Sequence, residues 1–402
     1  LAILEIISFC FTFVLALITM RRIILTLAAV FVKSSPPPKS EKEPFVIALV
    51  PARNEEDVVA RCLDCLLRID WPKEKILIVA IDDGSTDGTA AIIESYAHAH
   101  ANIELLTRAG PNAGIGKGAV LNDALESFDF GRLVFILDAD SVAAPDALRI
   151  LYSAMDVRRA DAAQGGMLPG KSAKGLGAFY TGIESLVHQG ITMTGADYIG
   201  ATVSLLGSNT LISRKALGEF GGFHPSSRLE DIDMTMAMAN AGMKIVFEPA
   251  AESTIIPPHS PKETVTQHRA WSREYFRIAV SRFFETTFAS AGVVQRADRL
   301  IFAFGYLDRL FVIGYVVLAL VSSATKADFA PWWFLAVVLV VPGIQCLLAM
   351  HRARKPLSDY GRLFVMPFAY MVDLAVHCMA FSDALCGKGR DWQRSRGKAE
   401  GV

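Results

Sequence analysis

Four polar groups in this 402-residue chain have residue types and spacings that can do chemistry. Asp138-Ala139-Asp140 follows the apolar run Leu133 to Leu137. In an extended chain alternate side chains share a face, so both carboxylates point one way and Ala139 the other. Two like charges so close resist ionising together, and a bound divalent cation removes that cost. Hard oxygen ligands suit Mg²⁺ or Mn²⁺. Asp82-Asp83-Gly84-Ser85-Thr86-Asp87 ends another apolar run. Gly84 permits a tight turn, and Thr86 and Asp87 can cap the helix that follows. Capping does not require the Asp82-Asp83 pair, whose carboxylates can accept hydrogen bonds from a nucleobase imide and ribose hydroxyls. Asn112-Ala113-Gly114-Ile115-Gly116-Lys117-Gly118 lacks the spacing of a P-loop. It still offers a phosphate backbone N–H groups, a helix N-terminus and the Lys117 charge. Leu229-Glu230-Asp231-Ile232-Asp233 opens a methionine-rich helical stretch whose methionines read as core. Its acids suit a helix N-terminus, and one of them can also act as a base toward an acceptor hydroxyl.

These groups need elements to hold them. From Phe45 to about Arg282, short apolar runs such as FVIALV, KILIVAI and RLVFIL alternate with turn residues and helical stretches. That alternation predicts an α/β domain with a mainly parallel sheet flanked by helices, over residues 45–285. In such sheets ligands sit beyond the carboxyl ends of the strands. PARNEE, DDGSTDGT and DADS occupy those ends.

Hydrophobic residues make up 52% of the chain, slightly above the roughly 45–50% of soluble domains, and the excess sits at the two ends. Residues 1–20 are long enough to cross a hydrocarbon core of about 30 Å. Arg21 and Arg22 follow, then a second apolar run to Val32, so 1–32 is expected to be an N-terminal transmembrane segment. A signal peptide would show a basic start and a small-residue cleavage site, which are lacking. Residues 33–44 read as a stiff, proline-rich linker. Arg21, Arg22, Lys33, Lys39 and Lys42 assign that side to the cytoplasm. Residues 286–390 return to membrane composition, with spans near 300–324 and 331–350. The stretch 363–385 carries Asp373, His377 and Asp383. It either crosses as a fourth span or lies in the interface with Trp392 as an anchor. Asp308 and Arg309 either pair along a polar path or mark the start of a helix. Residues 391–402 form a basic tail.

Net charge is −1 and no basic run carries interleaved aromatics, which argues against nucleic acid as a partner. Cys62 and Cys65 form a CxxC inside the amphipathic pattern VVARCLDCLLRI. With no second pair at metal spacing, they read as buried apolar cysteines. Nothing indicates a disulfide framework, consistent with a reducing compartment.

In this order and spacing the motifs resemble the membrane-bound members of glycosyltransferase family 2, such as hyaluronan, cellulose and poly-N-acetylglucosamine synthases and ceramide glucosyltransferase. The resemblance runs from Phe45 to Arg273. It implies a GT-A fold, a nucleotide-sugar donor, a divalent metal (Mn²⁺ or Mg²⁺), and a lipid or growing glycan acceptor at the bilayer. The enzyme it implies is an inverting hexosyl- or N-acetylhexosaminyltransferase, integral to the plasma membrane, with its catalytic domain in the cytoplasm. The resemblance places Ala52, Arg53 and Glu55 around the base and gives Asp83, beside Asp82, the reading of uracil, which favours UDP. It assigns Lys117 to the donor diphosphate, Asp138 to the nucleotide and metal, and Asp140 to the metal. It assigns Gly207, Ser208 and Asn209 to the acceptor and donor sugar. In the Glu230-Asp231 pair it makes Asp231 the catalytic base. One motif departs from the family's Gln-x-x-Arg-Trp: Gln267 and Trp271 match, but Ala270 stands where arginine is expected. Arg269 or Arg273 can supply the lost charge. The departure weighs against processive polymer synthesis, and it is the one feature that favours a catalytically silent membrane scaffold instead. Trp392 and Arg396 resemble a tail motif of several relatives.

Overall fold

The computed structural model describes residues 2–32, 36–170, 176–256 and 260–387. Lys33 of the linker and the basic tail with Trp392 and Arg396 lie outside the described residues. Among the described residues the central sheet has eight strands: β1 (Val46–Ala52), β2 (Ile76–Asp82), β3 (Ile103–Thr107), β4 (Leu133–Ile136), β5 (Val142–Ala143), β6 (Ala162–Pro169), β7 (Thr210–Ser213) and β8 (Ile245–Ile255). Their spatial order is β3-β2-β1-β4-β7-β6-β8-β5. The first four are mutually parallel, as the strand–helix alternation predicts. The second half is mixed. β7 runs antiparallel to both neighbours, β6 and β8 are parallel, and the two-residue β5 pairs antiparallel with β8.

The apolar runs are continuous because both faces of the parallel half are buried. Val46, Ala48 and Val50 of β1 pack with Cys62, Leu63, Cys65 and Leu66 of the helix Val59–Leu67. Ile47 and Leu49 face the opposite layer, against Val120, Leu121 and Ala124 of the helix Lys117–Ser127. Cys62 and Cys65 are therefore core residues, and both are free thiols.

Among the described residues, four helical stretches are long and apolar enough, by length and composition, to cross a membrane: Ala2–Phe31, Gly305–Thr325, Trp332–Arg352 and Leu357–Leu385. The first is one uninterrupted helix rather than two apolar runs. Leu15 on it packs with Val312, Tyr315, Leu318, Leu335, Val338 and Leu374. Beyond Arg22 the same helix docks on the α/β domain, and a Cβ on Gly195 would meet the Leu25 carbonyl oxygen at 2.0 Å.

The charges in these segments turn inward. Arg21 pairs with Asp298 at 2.7 Å, and Arg22 pairs with Asp308. Asp308 both opens its helix and pairs with Arg309 at 2.8 Å. In the last helix (Met366–Leu385), Asp373, His377 and Asp383 are buried against protein, while Phe368, Met371 and Val372 face outward. That arrangement relieves the cost of ionisable groups in an apolar stretch, which is steep only where they meet hydrocarbon.

Candidate active site

The cleft forms where β1, β2 and β4 end. After β1 the chain enters a left-handed turn at Asn54 (φ 55°). Asn54 Oδ1 accepts the Thr86 N–H at 2.8 Å, its own N–H donates to Ser85 Oγ at 3.0 Å, and the Glu55 N–H donates to Thr89 Oγ1 at 2.7 Å. The loops after β1 and β2 are thus stitched into one wall. Ala52 is buried there, and its carbonyl accepts the Asp83 N–H at 2.9 Å. Asp82 Oδ1 accepts the Ser85 N–H, and Asp87 Oδ1 accepts the Thr89 N–H at 3.0 Å, whereas the N-cap position itself is Gly88, so neither Thr86 nor Asp87 caps the helix as expected.

Asp83 is tightly held. It pairs with the Arg108 guanidinium and accepts the Gly114 N–H at 3.0 and 3.1 Å, and Arg53 Nη1 lies 3.9 Å away. Gly114 has φ +74°, and a Cβ there would sit 1.8 Å from Arg53 Nη1, so a glycine is what lets Arg53 lie over this loop. Arg108 is buried and also bonds Asp123 at 2.6 Å. Sequence reading missed it, although its position directly after a parallel strand is the signal that would have found it.

A second cluster gathers on Lys117, the first residue of its helix. Its Nζ lies 2.6 Å from Asp138 Oδ1, 2.6 Å from the Gly207 carbonyl oxygen and 3.3 Å from Glu230 Oε1. Gly207 has φ +75°, and a Cβ there would lie 3.2 Å from both Lys117 Nζ and Asp231 Oδ2. Lys117, Asp138, Gly207, Glu230 and Asp231 therefore converge. Asp138 and Asp140 do not sit in an extended strand as expected. They occupy a turn closed by the Ser141 N–H on the Asp138 carbonyl at 2.9 Å. Ala139 is still buried and both carboxylates are partly exposed. Two adjacent carboxylates opening on the cleft are a hard-oxygen donor set that fits Mg²⁺ or Mn²⁺.

Ser208 and Asn209 lie beneath this surface rather than on it. Ser208 Oγ accepts the Asp138 N–H at 2.9 Å, and both residues are fully buried. Asn209 Nδ2 donates to the carbonyls of Gly166 at 3.1 Å and Ala251 at 2.7 Å. A Cβ on Gly165 would lie 2.2 Å from that nitrogen, so Asn209 fills the irregularity between Gly165 and Gly166 in β6. The Ser208 side chain thus positions Asp138, while that of Asn209 ties the chain after Gly207 to β6 and β8.

The acidic pair opens the helix Glu230–Asn240, anchored by a fork from Arg282 to Asp233 at 2.7 and 2.9 Å. Met234, Met236 and Met238 are buried, as expected. Burial, and then the neighbouring Glu230 charge, push the Asp231 carboxyl up to about 7 against the pull of Lys117. Burial also raises Glu230, opposed by Lys117. For Lys117, burial works against the charge, but the carboxylates of Asp138 and Glu230 outweigh it and hold the ammonium.

The run from Gln267 to Arg273 lies on the helix Pro261–Ser281 and is drawn toward the C-terminal helices. Gln267 is buried, and Trp271 stacks on His268 with ring centroids 5.7 Å apart. Arg269 bonds Asp383 at 2.7 Å and Arg273 bonds Glu274 at 2.9 Å. Both arginines offered in place of the one missing at position 270 thus have carboxylate partners.

Gly207 gives the most local test of the cluster. A methyl group at a left-handed position, aimed at Lys117 and Asp231, must displace one of them. Misplacement of reacting groups by about 1 Å costs on the order of 10²-fold in rate. Gly207→Ala is expected to reduce turnover by up to about that factor and to cost about 1–2 kcal/mol of stability, the strain of a left-handed alanine, measured by initial rates beside melting curves.

Residues 44–274 match the family described as glycosyltransferase like family 2. A probable glycosyltransferase of Bacillus subtilis is 24% identical over 348 residues, covering 81% of this chain and 79% of its own length. A beta-monoglucosyldiacylglycerol synthase of Synechocystis is 29% identical over 203 residues, 48% of this chain and 40% of that enzyme. An N-acetylglucosaminyltransferase of Rhizobium leguminosarum is 24% identical, over 78% of this chain and 73% of its own. Among solved structures, a mannosyltransferase of Pyrobaculum calidifontis in complex with GDP-Man and Mn²⁺ superposes with a TM-score of 0.61 at 19% identity, covering 96% of this chain and all of that one. At that identity the likeness shows the fold, which is GT-A-like.

Proposed function

The chain belongs to glycosyltransferase family 2 and is a glycosyltransferase; we propose that it inverts configuration as it moves a hexose or N-acetylhexosamine from a UDP-sugar to a membrane lipid or a lipid-linked glycan. The convergence of Lys117, Asp138, Glu230 and Asp231 on Gly207 carries this reading. The catalytic domain faces the cytoplasm at the plasma membrane in this reading. Relatives named for a diacylglycerol glycolipid and for N-acetylglucosamine transfer support the acceptor and sugar classes. The GDP-mannose and Mn²⁺ bound by the structural neighbour support a nucleotide sugar with a metal. The choice of UDP rests on Asp83 and its resemblance to a uracil-reading carboxylate.

Transfer proceeds as a single displacement. The acceptor hydroxyl donates its hydrogen bond to Asp231, which takes the proton as the oxygen attacks the anomeric carbon. The bond from that carbon to the diphosphate oxygen breaks, and the nucleoside diphosphate leaves with the electron pair. Lys117, fixed as a cation among carboxylates, faces the oxygens where negative charge builds. Asp140, with Asp138, would hold the divalent cation, which supplies Lewis-acid stabilisation of the leaving diphosphate. Arg53 and Asp83 orient the base. The pairing of Arg269 and Arg273 with carboxylates favours a lipid or a short glycan over a processively grown polymer.

The test is donor turnover by the purified protein in lipid, with UDP-glucose, UDP-galactose, UDP-N-acetylglucosamine and GDP-mannose, in Mn²⁺, Mg²⁺ or EDTA. The expected result is release of UDP from one donor, abolished by EDTA, with a product of glycolipid size. Release of GDP would overturn the nucleotide assignment. No release and no nucleotide binding would favour the silent scaffold.

A further inference from the structure

Among the described residues outside the four long apolar stretches, the most exposed large apolar side chains are Phe284 (71%), Phe288 (76%), Val293 (73%) and Val294 (82%). They sit on two short helices, Phe283–Phe288 and Val293–Ala303, just before the apolar stretch that begins at Gly305. Phe284 and Phe288, four residues apart, share one helix face. Arg296 Nη1 donates to the Thr287 carbonyl at 3.4 Å, which holds the start of the second helix against the end of the first. Ile115, Phe130 and Val157 on the α/β domain are exposed singly, which is ordinary. Four such side chains on one hairpin form a patch that asks for a cover.

The helix Ala2–Phe31 gives the depth of that hairpin. Near one end, Ser8 Oγ donates at 2.6 Å to the carbonyl of Phe329, in the connector that carries Lys326 and Asp328 between two apolar stretches. Near the other end, Arg352, the last residue of the stretch Trp332–Arg352, donates to the Ala29 carbonyl at 2.7 Å. At a rise of about 1.5 Å per residue, Ser8 and Ala29 stand about 31 Å apart, close to the thickness of a hydrocarbon core of about 30 Å. On the same scale Arg21 lies about 12 Å to the bilayer side of Ala29. There its Nε pairs with Asp298 Oδ1 at 2.7 Å. The helix Val293–Ala303 therefore reaches deeper than the charged end of the stretch Trp332–Arg352.

The polar groups of the hairpin fit that depth. Asp298 faces Arg21 and also accepts the Thr202 N–H at 2.8 Å and the Thr202 hydroxyl at 2.6 Å. Glu285 is paired with Arg282 at 2.8 Å. These charges are neutralised within the protein, while the two phenylalanines and two valines point away from it.

We infer that this hairpin is a membrane wedge: Phe284, Phe288, Val293 and Val294 insert among the acyl chains of the leaflet on the α/β-domain side, and the cover of the patch is bilayer lipid. Helices in this position bury their apolar face roughly 5–10 Å into the headgroup and acyl boundary. The hairpin also carries the helix Glu230–Asn240. Asn240 Nδ2 donates to Thr286 Oγ1 at 3.1 Å, and Met236 packs against Phe302. Insertion thus seats that helix at the membrane surface. The inference requires the apolar stretches to span the bilayer and does not depend on the proposed reaction.

The experiment uses full-length protein in lipid nanodiscs with Cys10, Cys346, Cys378 and Cys386 replaced by alanine. Single nitroxide labels are attached through Phe288→Cys and Val294→Cys. Val317→Cys, exposed on an apolar stretch, is the lipid reference, and Phe130→Cys is the water reference. Power saturation compares collisions with oxygen, which concentrates among acyl chains, and with a neutral Ni²⁺ chelate, which stays in water. The expected result is an oxygen-to-chelate ratio at both hairpin sites shifted away from that at Phe130 and toward that at Val317. Both side chains are largely exposed, and either site remains readable if the other variant fails to fold. Chelate access at either folded site equal to that at Phe130 overturns the inference. Exclusion of both reagents with spin–spin broadening between copies also overturns it, because the cover is then a second chain. A water-like ratio at Val317 removes the spanning premise, and the inference with it.

Discussion

Asp231→Asn is expected to lower sugar transfer by about 10²–10⁴-fold, the usual range for losing a positioned general base, while nucleotide affinity stays nearly unchanged. The substitution keeps the shape of the side chain and its place against Gly207 but removes the proton acceptor. Because burial and the Glu230 charge push the Asp231 carboxyl up to about 7, the wild-type rate should fall as pH drops below neutrality. The residual rate of the variant should lack that limb. Stability moves in the opposite sense. A carboxyl raised in the folded state is released first by the unfolded chain. Its contribution is whole below the ordinary aspartate range near pH 4 and is lost as pH climbs through about 7. In EDTA, Asp231→Asn should therefore melt higher than wild type at pH 8 and equally at pH 4. Initial rates and melting curves across pH check both halves, and a variant that still turns over at the wild-type rate would remove Asp231 from the role of base.

Arg108→Met is the second large effect. Its guanidinium and the Asp83 carboxylate are both nearly excluded from solvent, with side chains 4% and 9% exposed. Breaking a buried pair from one side leaves the other charge uncompensated, at a cost of about 3–5 kcal/mol. Arg53, 3.9 Å away, is too distant to take over. The expected result is a strong fall in melting temperature together with loss of nucleotide binding. Adding Asp83→Asn should recover most of the melting temperature and none of the binding. That split separates a folding defect from a recognition defect. If the double variant were no more stable than Arg108→Met alone, the pair would not be what holds this loop.

Local pattern made much of this legible. The run FVIALV is apolar at every position because its strand is covered on both sides, and such a run declares itself without knowledge of the partners. Asp87 accepts the backbone N–H two residues on, at the start of its helix, and Met234 and Met238, four apart on one helix face, pack beneath the sheet, while Met236 faces the other way against Tyr275 and Phe302. The cysteine pair read as core because the pattern around it is amphipathic, and it lies in the core. The direction of β7 was not legible. The strand has four residues, and its neighbours β4 and β6 lie far away in the chain. Ser208 and Asn209 matched a motif, but only packing reveals that their side chains brace the site from beneath.

By itself the sequence determined the alternation of strands and helices, the acidic and glycine-rich turns at the strand ends, and the apolar stretches at either end of the chain. Periodicity and turn chemistry act over a few residues, so a linear reading captures them. Only the tertiary structure decided that Arg108 locks Asp83, that Lys117 gathers Asp138, Gly207 and Glu230, and that Arg22, Asp308, Arg309 and Asp373 neutralise one another between apolar helices. Those choices rest on Coulomb attraction and hydrogen bonds that fall away beyond a few ångströms. Residues hundreds of positions apart come within that reach only once the core has packed.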